Sequence, residues 1–267
     1  MFRPCIDLHD GQVKQLVGGT LADAGSSLQT NFVSDQSPAW FAELYRRDNL
    51  TGGHVIKLGL GNDTAAREAL AAWPGGLQLG GGVTAENART WLEAGASHVV
   101  VTSWIFREGF IDRARLGQLV GIVGKSRLVL DLSCRLRAGQ YFVVTDRWQK
   151  FTDTALSHAT LHELAGHCDE FLIHAVDVEG LCCGIDLKLV EKLAVWSPLP
   201  TTYAGGASSL HDLEQVQSIG NGRIHLTIGS ALDIFGGTGV RYEDAVAFNR
   251  RASQPSQPTG GGSNFPL

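Results

Sequence analysis

Leu77-Gln78-Leu79-Gly80-Gly81-Gly82-Val83-Thr84 reads as a short apolar strand running into three glycines. A helical segment follows, then Val99-Val100-Val101-Thr102-Ser103, a second apolar strand ending in two hydroxyls. The chain repeats both parts: Thr201-Thr-Tyr-Ala-Gly205-Gly206-Ala-Ser208 matches the first, and Leu226-Thr-Ile-Gly229-Ser230 the second. Gly81-Gly82 and Gly205-Gly206 lie 124 positions apart, as do Ile6-Asp7-Leu8 and Leu130-Asp131-Leu132. Two unrelated pairs with one offset point to two like halves, each with one strand-end carboxylate and one glycine turn. Glycine lets bare backbone approach an anion and offer it N–H groups. Two such turns facing one cavity suit a ligand carrying a phosphate at each end.

Outward from these turns, eight apolar or β-branched runs predict strands: Arg3–Leu8, His54–Leu58, Leu77–Leu79, His98–Thr102, Arg127–Leu132, Phe171–Val176, Thr201–Ala204 and Ile224–Ile228. Helical periodicity falls between them at Pro38–Arg47, Thr64–Ala72, Thr84–Ala94, Ile111–Val123, Asp153–His167, Asp186–Val195, Ser208–Ser218 and Tyr242–Arg250. Ser37 before Pro38 is an N-cap with proline at the first helical position, and Thr84 and Ser208 are the corresponding cap candidates. Eight strand–helix alternations predict an α/β fold, a (β/α)8 TIM barrel with a half-barrel internal repeat. An open doubly wound sheet would not call for the repeat. The barrel domain is expected over residues 1–251. The Ser-, Gln-, Pro- and Gly-rich residues 252–267 are expected to be a disordered tail. Gln12–Gln36 reads as a long active-site loop, and Gly139–Lys150 as a small hairpin extending the loop after the fifth strand.

Composition narrows the function. The chain has 267 residues, 43% of them hydrophobic and 18% charged, which suits a globular protein and excludes a disordered one. A net charge of −5 argues against a nucleic-acid or membrane surface, so an anionic ligand must be met by local dipoles. No apolar run reaches the ~20 residues of a membrane span. The N-terminal residues read as a strand and not as a signal peptide. Five cysteines without a C-x-x-C pair read as reduced thiols of a cytoplasmic protein, with Cys182-Cys183 as loop residues or a redox-sensitive pair.

In a parallel barrel the active site lies at the C-terminal ends of the strands, where Asp7 and Asp131 are expected to face one another. A carboxylate flanked by apolar residues is expensive to bury without a partner or a task. Two such groups can divide the work, one as base and one, with a raised pKa, as acid. Backbone and hydroxyls of Gly81, Gly82, Thr102 and Ser103 are expected to gather around one phosphate, and those of Gly205, Gly206, Gly229 and Ser230 around the other. Lys57 either reaches the mouth as a Schiff-base or cationic group or extends outward at the rim. Arg147-Trp148 either closes over a substrate, with the indole as a stacking lid, or packs the hairpin. His158, His162 and His167 show helical spacing but no acidic partner in a known pattern, so no metal site is expected.

Several stretches together resemble the eukaryotic-type phosphoribosylformimino-5-aminoimidazole carboxamide ribotide isomerases of histidine biosynthesis. They are Cys5-Ile-Asp-Leu-His-Asp-Gly-Gln-Val-Lys-Gln-Leu-Val-Gly-Gly-Thr20, Leu77–Gly82, Val129-Leu-Asp-Leu-Ser-Cys134, His174-Ala-Val-Asp-Val-Glu-Gly-Leu-Cys-Cys183 and Leu226–Gly237. The resemblance covers residues 2–250. It implies a cofactor-free, half-barrel-repeat enzyme, a monomer, performing an Amadori rearrangement of an aminoaldose with a phosphate at each end. It implies Asp7 as the base that takes the proton from C2 of the ribose, and Asp131 as the acid that opens the furanose ring. Bacterial relatives carry a threonine near the end of the sixth strand. Here Ala175 stands in its place, and its role either passes to His174 or Asp177 or is not needed. The nearest rival is the cyclase subunit of imidazole glycerol phosphate synthase, another half-barrel repeat with two opposed aspartates. Gly18–Thr20 and Ile228-Gly-Ser-Ala-Leu-Asp233 favour the isomerase. A non-catalytic phosphosugar-binding barrel is the rival from another class, disfavoured by retention of both aspartates.

Overall fold

Strands in a parallel sheet are covered on both faces, and the runs that form them here are correspondingly apolar with little alternation. The computed structural model describes residues 1–17 and 29–253. Its main sheet has eleven strands, ordered Phe2–Arg3, Ile224–Thr227, Thr201–Ala204, Glu170–His174, Leu128–Asp131, Val99–Val101, Leu77–Gly80, Gly53–Lys57, Cys5–His9, Gln12–Leu16 and Thr30–Val33. Neighbours are parallel except at the last two pairings, which are antiparallel. The predicted first strand is split at Pro4, which has no N–H to give a ladder. Before it, Phe2 pairs with Leu226; after it, Cys5 pairs with His54. One continuous segment therefore touches both the last and the second of the predicted strands.

All eight predicted strands are present within a residue or two of their expected limits. Helices lie between them, and side chains such as Phe41, Tyr45, Leu70, Trp91, Leu116 and Leu193 fill one large core against the outer face of the sheet. Ser37 caps Pro38–Arg47 as expected, accepting from the Trp40 N–H. The caps at Thr84 and Ser208 fall elsewhere. Asn87 precedes the short helix Ala88–Glu93 and ties back to the Thr84 N–H through its side chain, and Ser209 with Asp212 forms a capping box ahead of Leu210–Gly220. The expected helix at Asp153–His167 begins only at His158. The residues before it form the strand Lys150–Ala155, which completes a three-stranded antiparallel sheet with Cys134–Arg137 and Gln140–Thr145. Thr152 and Thr154 carry β-branches that favour this.

The loop expected at Gln12–Gln36 is partly regular: Gln12–Leu16 and Thr30–Val33 extend the main sheet. Gly18–Thr20 lies outside the described residues. So do residues 254–267 of the expected tail, while the last helix, Tyr242–Ala252, runs one residue past the expected boundary at 251. No helix among the described residues is long and apolar enough to cross a membrane.

Candidate active site

The alternation of a strand places Cys5 and Asp7 on one face and Ile6 and Leu8 on the other, where the latter two are fully buried. Asp7 and Asp131 line the same cavity of about 530 Å³ at the strand ends, with Gly81, Gly82, Thr102, Ser103, Trp148, His174 and Glu179. A smaller cavity of about 30 Å³ adjoins it, lined by Gly205, Gly206, Gly229 and Ser230. Asp7, Gln15, His174 and Glu179 border both. The two glycine sets predicted from the repeat thus line adjoining cavities that share Asp7, Gln15, His174 and Glu179. Gly81 and Gly206 both have positive φ, +88° and +77°, and a Cβ at either would collide with a carbonyl oxygen, of Lys57 and Gly184 respectively. Gly82 also has positive φ, +68°, but a Cβ there would meet nothing, so its backbone faces open space.

The two aspartates are held differently. Asp131 Oδ1 accepts from the Ser133 backbone N–H at 2.9 Å and the Ser133 hydroxyl at 2.7 Å, and Oδ2 accepts from the Thr102 hydroxyl at 3.0 Å. His174 Nδ1 stands 3.5 Å from Asp131 Oδ1, an ion pair outside hydrogen-bond alignment. Burial by itself would raise the Asp131 carboxyl. His174, Ser133 and Thr102 outweigh it and hold the group below its ordinary value. Among the described residues Asp7 accepts from Gln15 Nε2 at 3.1 Å. Burial lifts Asp7 to about 6, with His174 and, more weakly, the Cys5 thiol and Gln15 opposing part of the rise. Glu179, just past the sixth strand, has a buried Oε2 without a hydrogen-bond partner among the described residues. Burial pushes it to about 7, against the pull of His174 and with a further push from Asp7. His174 answers all three: burial opposes its charge, yet Asp131, Glu179 and Asp7 raise it to about 9. At neutral pH the cluster therefore holds an ionised Asp131, an imidazolium, and two carboxyls poised near their titration points.

A family profile described as histidine biosynthesis protein matches residues 1–238. The chain is 54% identical over 258 residues to a Yarrowia lipolytica protein, with 94% of this chain and 98% of that one covered. A Neurospora crassa protein is also 54% identical, over 253 residues with the same coverage, and a Saccharomyces cerevisiae protein is 48% identical over 257 residues, again 94% and 98%. Each bears the name 1-(5-phosphoribosyl)-5-((5-phosphoribosylamino)methylideneamino) imidazole-4-carboxamide isomerase. The chain belongs to this histidine-biosynthesis family.

Within that family frame, several sequence expectations shift. The carboxyl that burial raises is Glu179, whose buried Oε2 has no hydrogen-bond partner among the described residues, whereas His174, Ser133 and Thr102 hold Asp131, the acid that the resemblance implies, below its ordinary value. Thr102 turns its hydroxyl to Asp131, and the Ser103 hydroxyl accepts from the Asp146 N–H at 3.2 Å, anchoring the hairpin. Ser230 Oγ accepts from Asn31 Nδ2 at 3.1 Å. Trp148 lies beside His174, ring centroids 5.5 Å apart, at the end of a run in which Asp146, Arg147 and Trp148 all have positive φ. Such a run in non-glycine residues costs backbone energy, and it aims the indole into the cavity. Of the two substitutes for the bacterial threonine, His174 is in the cluster. Asp177 instead binds Arg135 at 2.7 Å and supports the three-stranded sheet. Lys57 is drawn aside by Asp63 at 2.7 Å and lies over the Trp91 ring at 4.1 Å.

Gln15, His54, Ser133 and Glu179 were not singled out by sequence reasoning as site residues. Only the Asp-x-Ser spacing at Asp131 and Ser133, a common side-chain-to-backbone turn, offered a local signal.

Proposed function

We propose that this protein is the isomerase its relatives are named for, converting the bisphosphorylated aminoaldose to its aminoketose by an Amadori rearrangement without a cofactor. The observation that carries the reading is one cavity lined by Asp7, Asp131, His174 and Glu179, with the glycine turn of one half of the repeat on its wall and that of the other half on an adjoining cavity. Glu179 gives its proton to the furanose oxygen as the C1–O bond breaks, and the nitrogen lone pair forms the C1=N bond of a Schiff base. Asp7 then removes the proton from C2, and those electrons give the enolamine, which tautomerises to the ketose by taking a proton at C1. Asp131 stays anionic and keeps His174 charged, so that positive charge faces the oxygen at C2 as negative charge grows there. Gly81, Gly82 and Ser103 hold one phosphate and Gly205, Gly206, Gly229 and Ser230 the other, through backbone N–H groups and hydroxyls. Trp148 covers the substrate.

In the same reading the eight parallel strands close into a (β/α)8 barrel built from two like halves. Phe2–Arg3 pairing with the last strand and Cys5–His9 with the second supports that closure. The enzyme works as a monomer in the cytoplasm.

The test is turnover of the aminoaldose by purified, metal-stripped protein, coupled to the next enzyme of the pathway with glutamine. Turnover abolished in Asp7→Asn is the expected result. A product that forms only when ammonia is supplied would point to the cyclase. Tight substrate binding without turnover would point to a silent phosphosugar-binding barrel.

A further inference from the structure

Residues i and i+2 of a strand share a face, and the register partner on the neighbouring strand stands beside them. Cys5 and Asp7 are such a pair on Cys5–His9, and His54 is the partner of Cys5 on Gly53–Lys57. One donor atom from each of Cys5, Asp7 and His54 lies within 4.8 Å of the others, the one such three-residue group among the described residues. All three border the cavity of about 30 Å³, room for a single ion with a water. The Gln15 amide already marks the point between two of the donors. Its Nε2 donates to Asp7 Oδ2 at 3.1 Å and to Cys5 Sγ at 3.8 Å, placing a positively polarised N–H where a cation would sit.

We propose that Cys5, Asp7 and His54 form a site for a thiophilic divalent cation, of which zinc is the type, and that its occupancy switches off the reaction by capturing Asp7. One sulfur, one imidazole nitrogen and one carboxylate oxygen, with a fourth position open to the cavity, is a donor set zinc accepts in four-coordinate sites. Bonds of about 2.0–2.3 Å require donors about 3.5 Å apart, so the side chains close inward slightly on binding. The metal–sulfur bond forms as the Cys5 thiol releases its proton to solvent, and the metal replaces the Gln15 N–H as the partner of Asp7.

The inhibitory half rests on the isomerase reading, with Asp7 as base; metal binding itself does not. The test uses full-length protein carrying Cys182→Ser and Cys183→Ser, so that the two exposed thiols cannot compete. Titrated with Co2+ under argon, it should show a thiolate-to-cobalt charge-transfer band saturating at one equivalent and removed by Zn2+. Cys5→Ser in that background should abolish the band, and His54→Gln should weaken Co2+ binding at least tenfold. In turnover assays Zn2+ should inhibit the parent reversibly, with activity restored by a chelator. Cys5→Ser should need at least tenfold more Zn2+ while its metal-free turnover stays within about twofold. Absence of the cobalt band in the parent, or equal zinc sensitivity of the parent and both variants, overturns the proposal. Should Cys5→Ser fail to fold, the parent spectrum and His54→Gln decide. Metal-free protein without turnover would defeat the isomerase reading and leave the cobalt spectrum to judge the site.

Discussion

Glu170 and Glu179 stand at the two ends of the segment that carries the sixth strand, and they are treated in opposite ways. Glu170 opens the strand at the far end of the sheet from the cavity. Arg3 Nη1 donates to both its oxygens at 2.7 Å, Thr202 to one at 2.6 Å and Gln78 to the other at 3.2 Å. Glu179 follows the strand and has a buried oxygen without a hydrogen-bond partner among the described residues. A buried charge with every lone pair engaged is a fixed part of the structure. A buried carboxyl left short of partners keeps its proton to higher pH and can give it away. One end of the sheet is satisfied at the expense of reactivity, and the other is left reactive at the expense of stability.

The largest effect that bears on this contrast is at Asp7. Asp7→Asn should lower kcat by about 10²–10⁴ while substrate affinity stays within a few-fold, because acid–base groups act mainly in the transition state. Titration of binding beside stopped-time turnover checks it, and near-parental turnover would remove Asp7 from the chemistry. Next is Glu179→Gln, expected to cost about 10² in kcat or more. Because the folded-state pKa of Glu179 is raised, to about 7, the stability it contributes is fully present below its unfolded value and is lost as pH rises through about 7. Glu179→Gln should therefore raise Tm at pH 8 and have little effect at pH 5. A variant that loses both activity and Tm at pH 8 would make Glu179 a structural residue like Glu170.

The converse variant is Glu170→Gln, which leaves Arg3 without its anion. It should cost about 3–5 kcal/mol, a fall in Tm of roughly 10 °C, with kcat of the folded protein within about threefold. Unchanged thermal stability would show that the network at that end is dispensable. A smaller effect should appear in the pH profile. With Asp7 ionising at about 6 and Glu179 at about 7, kcat/KM should rise through the first and fall through the second, as values of the coupled cluster. Glu179→Gln should erase the falling limb from what activity remains. The gentlest probe is Asp131→Asn, which should lower the His174 titration from about 9, followed by imidazole NMR. An unmoved His174 would break the claim that Asp131 holds it charged.

Much of this was legible in the chain. The two Asp-centred strands and the two glycine turns are local patterns, and their shared offset could be counted without coordinates. The glycines in particular declare themselves, since Gly81 and Gly206 occupy backbone conformations and close approaches that other residues reach only with strain. What misled was also local. Asp153–Leu156 has helical spacing, but the neighbouring strand Gln140–Thr145 offered it hydrogen bonds, and tertiary pairing overrode the preference.

The sequence by itself determined the alternation of strands and helices, the doubled carboxylate and glycine turn, and membership of the histidine-biosynthesis family. Only the tertiary structure decided which carboxyl holds a proton. Asp131 and Glu179 are equally acidic in kind as residues. Their difference arises from Ser133, Thr102 and His174 crowding one carboxylate, while the other's buried oxygen has no hydrogen-bond partner among the described residues. Protonation follows from the hydrogen bonds and charges that folding gathers from four separate strand ends, and no spacing along the chain encodes that sum.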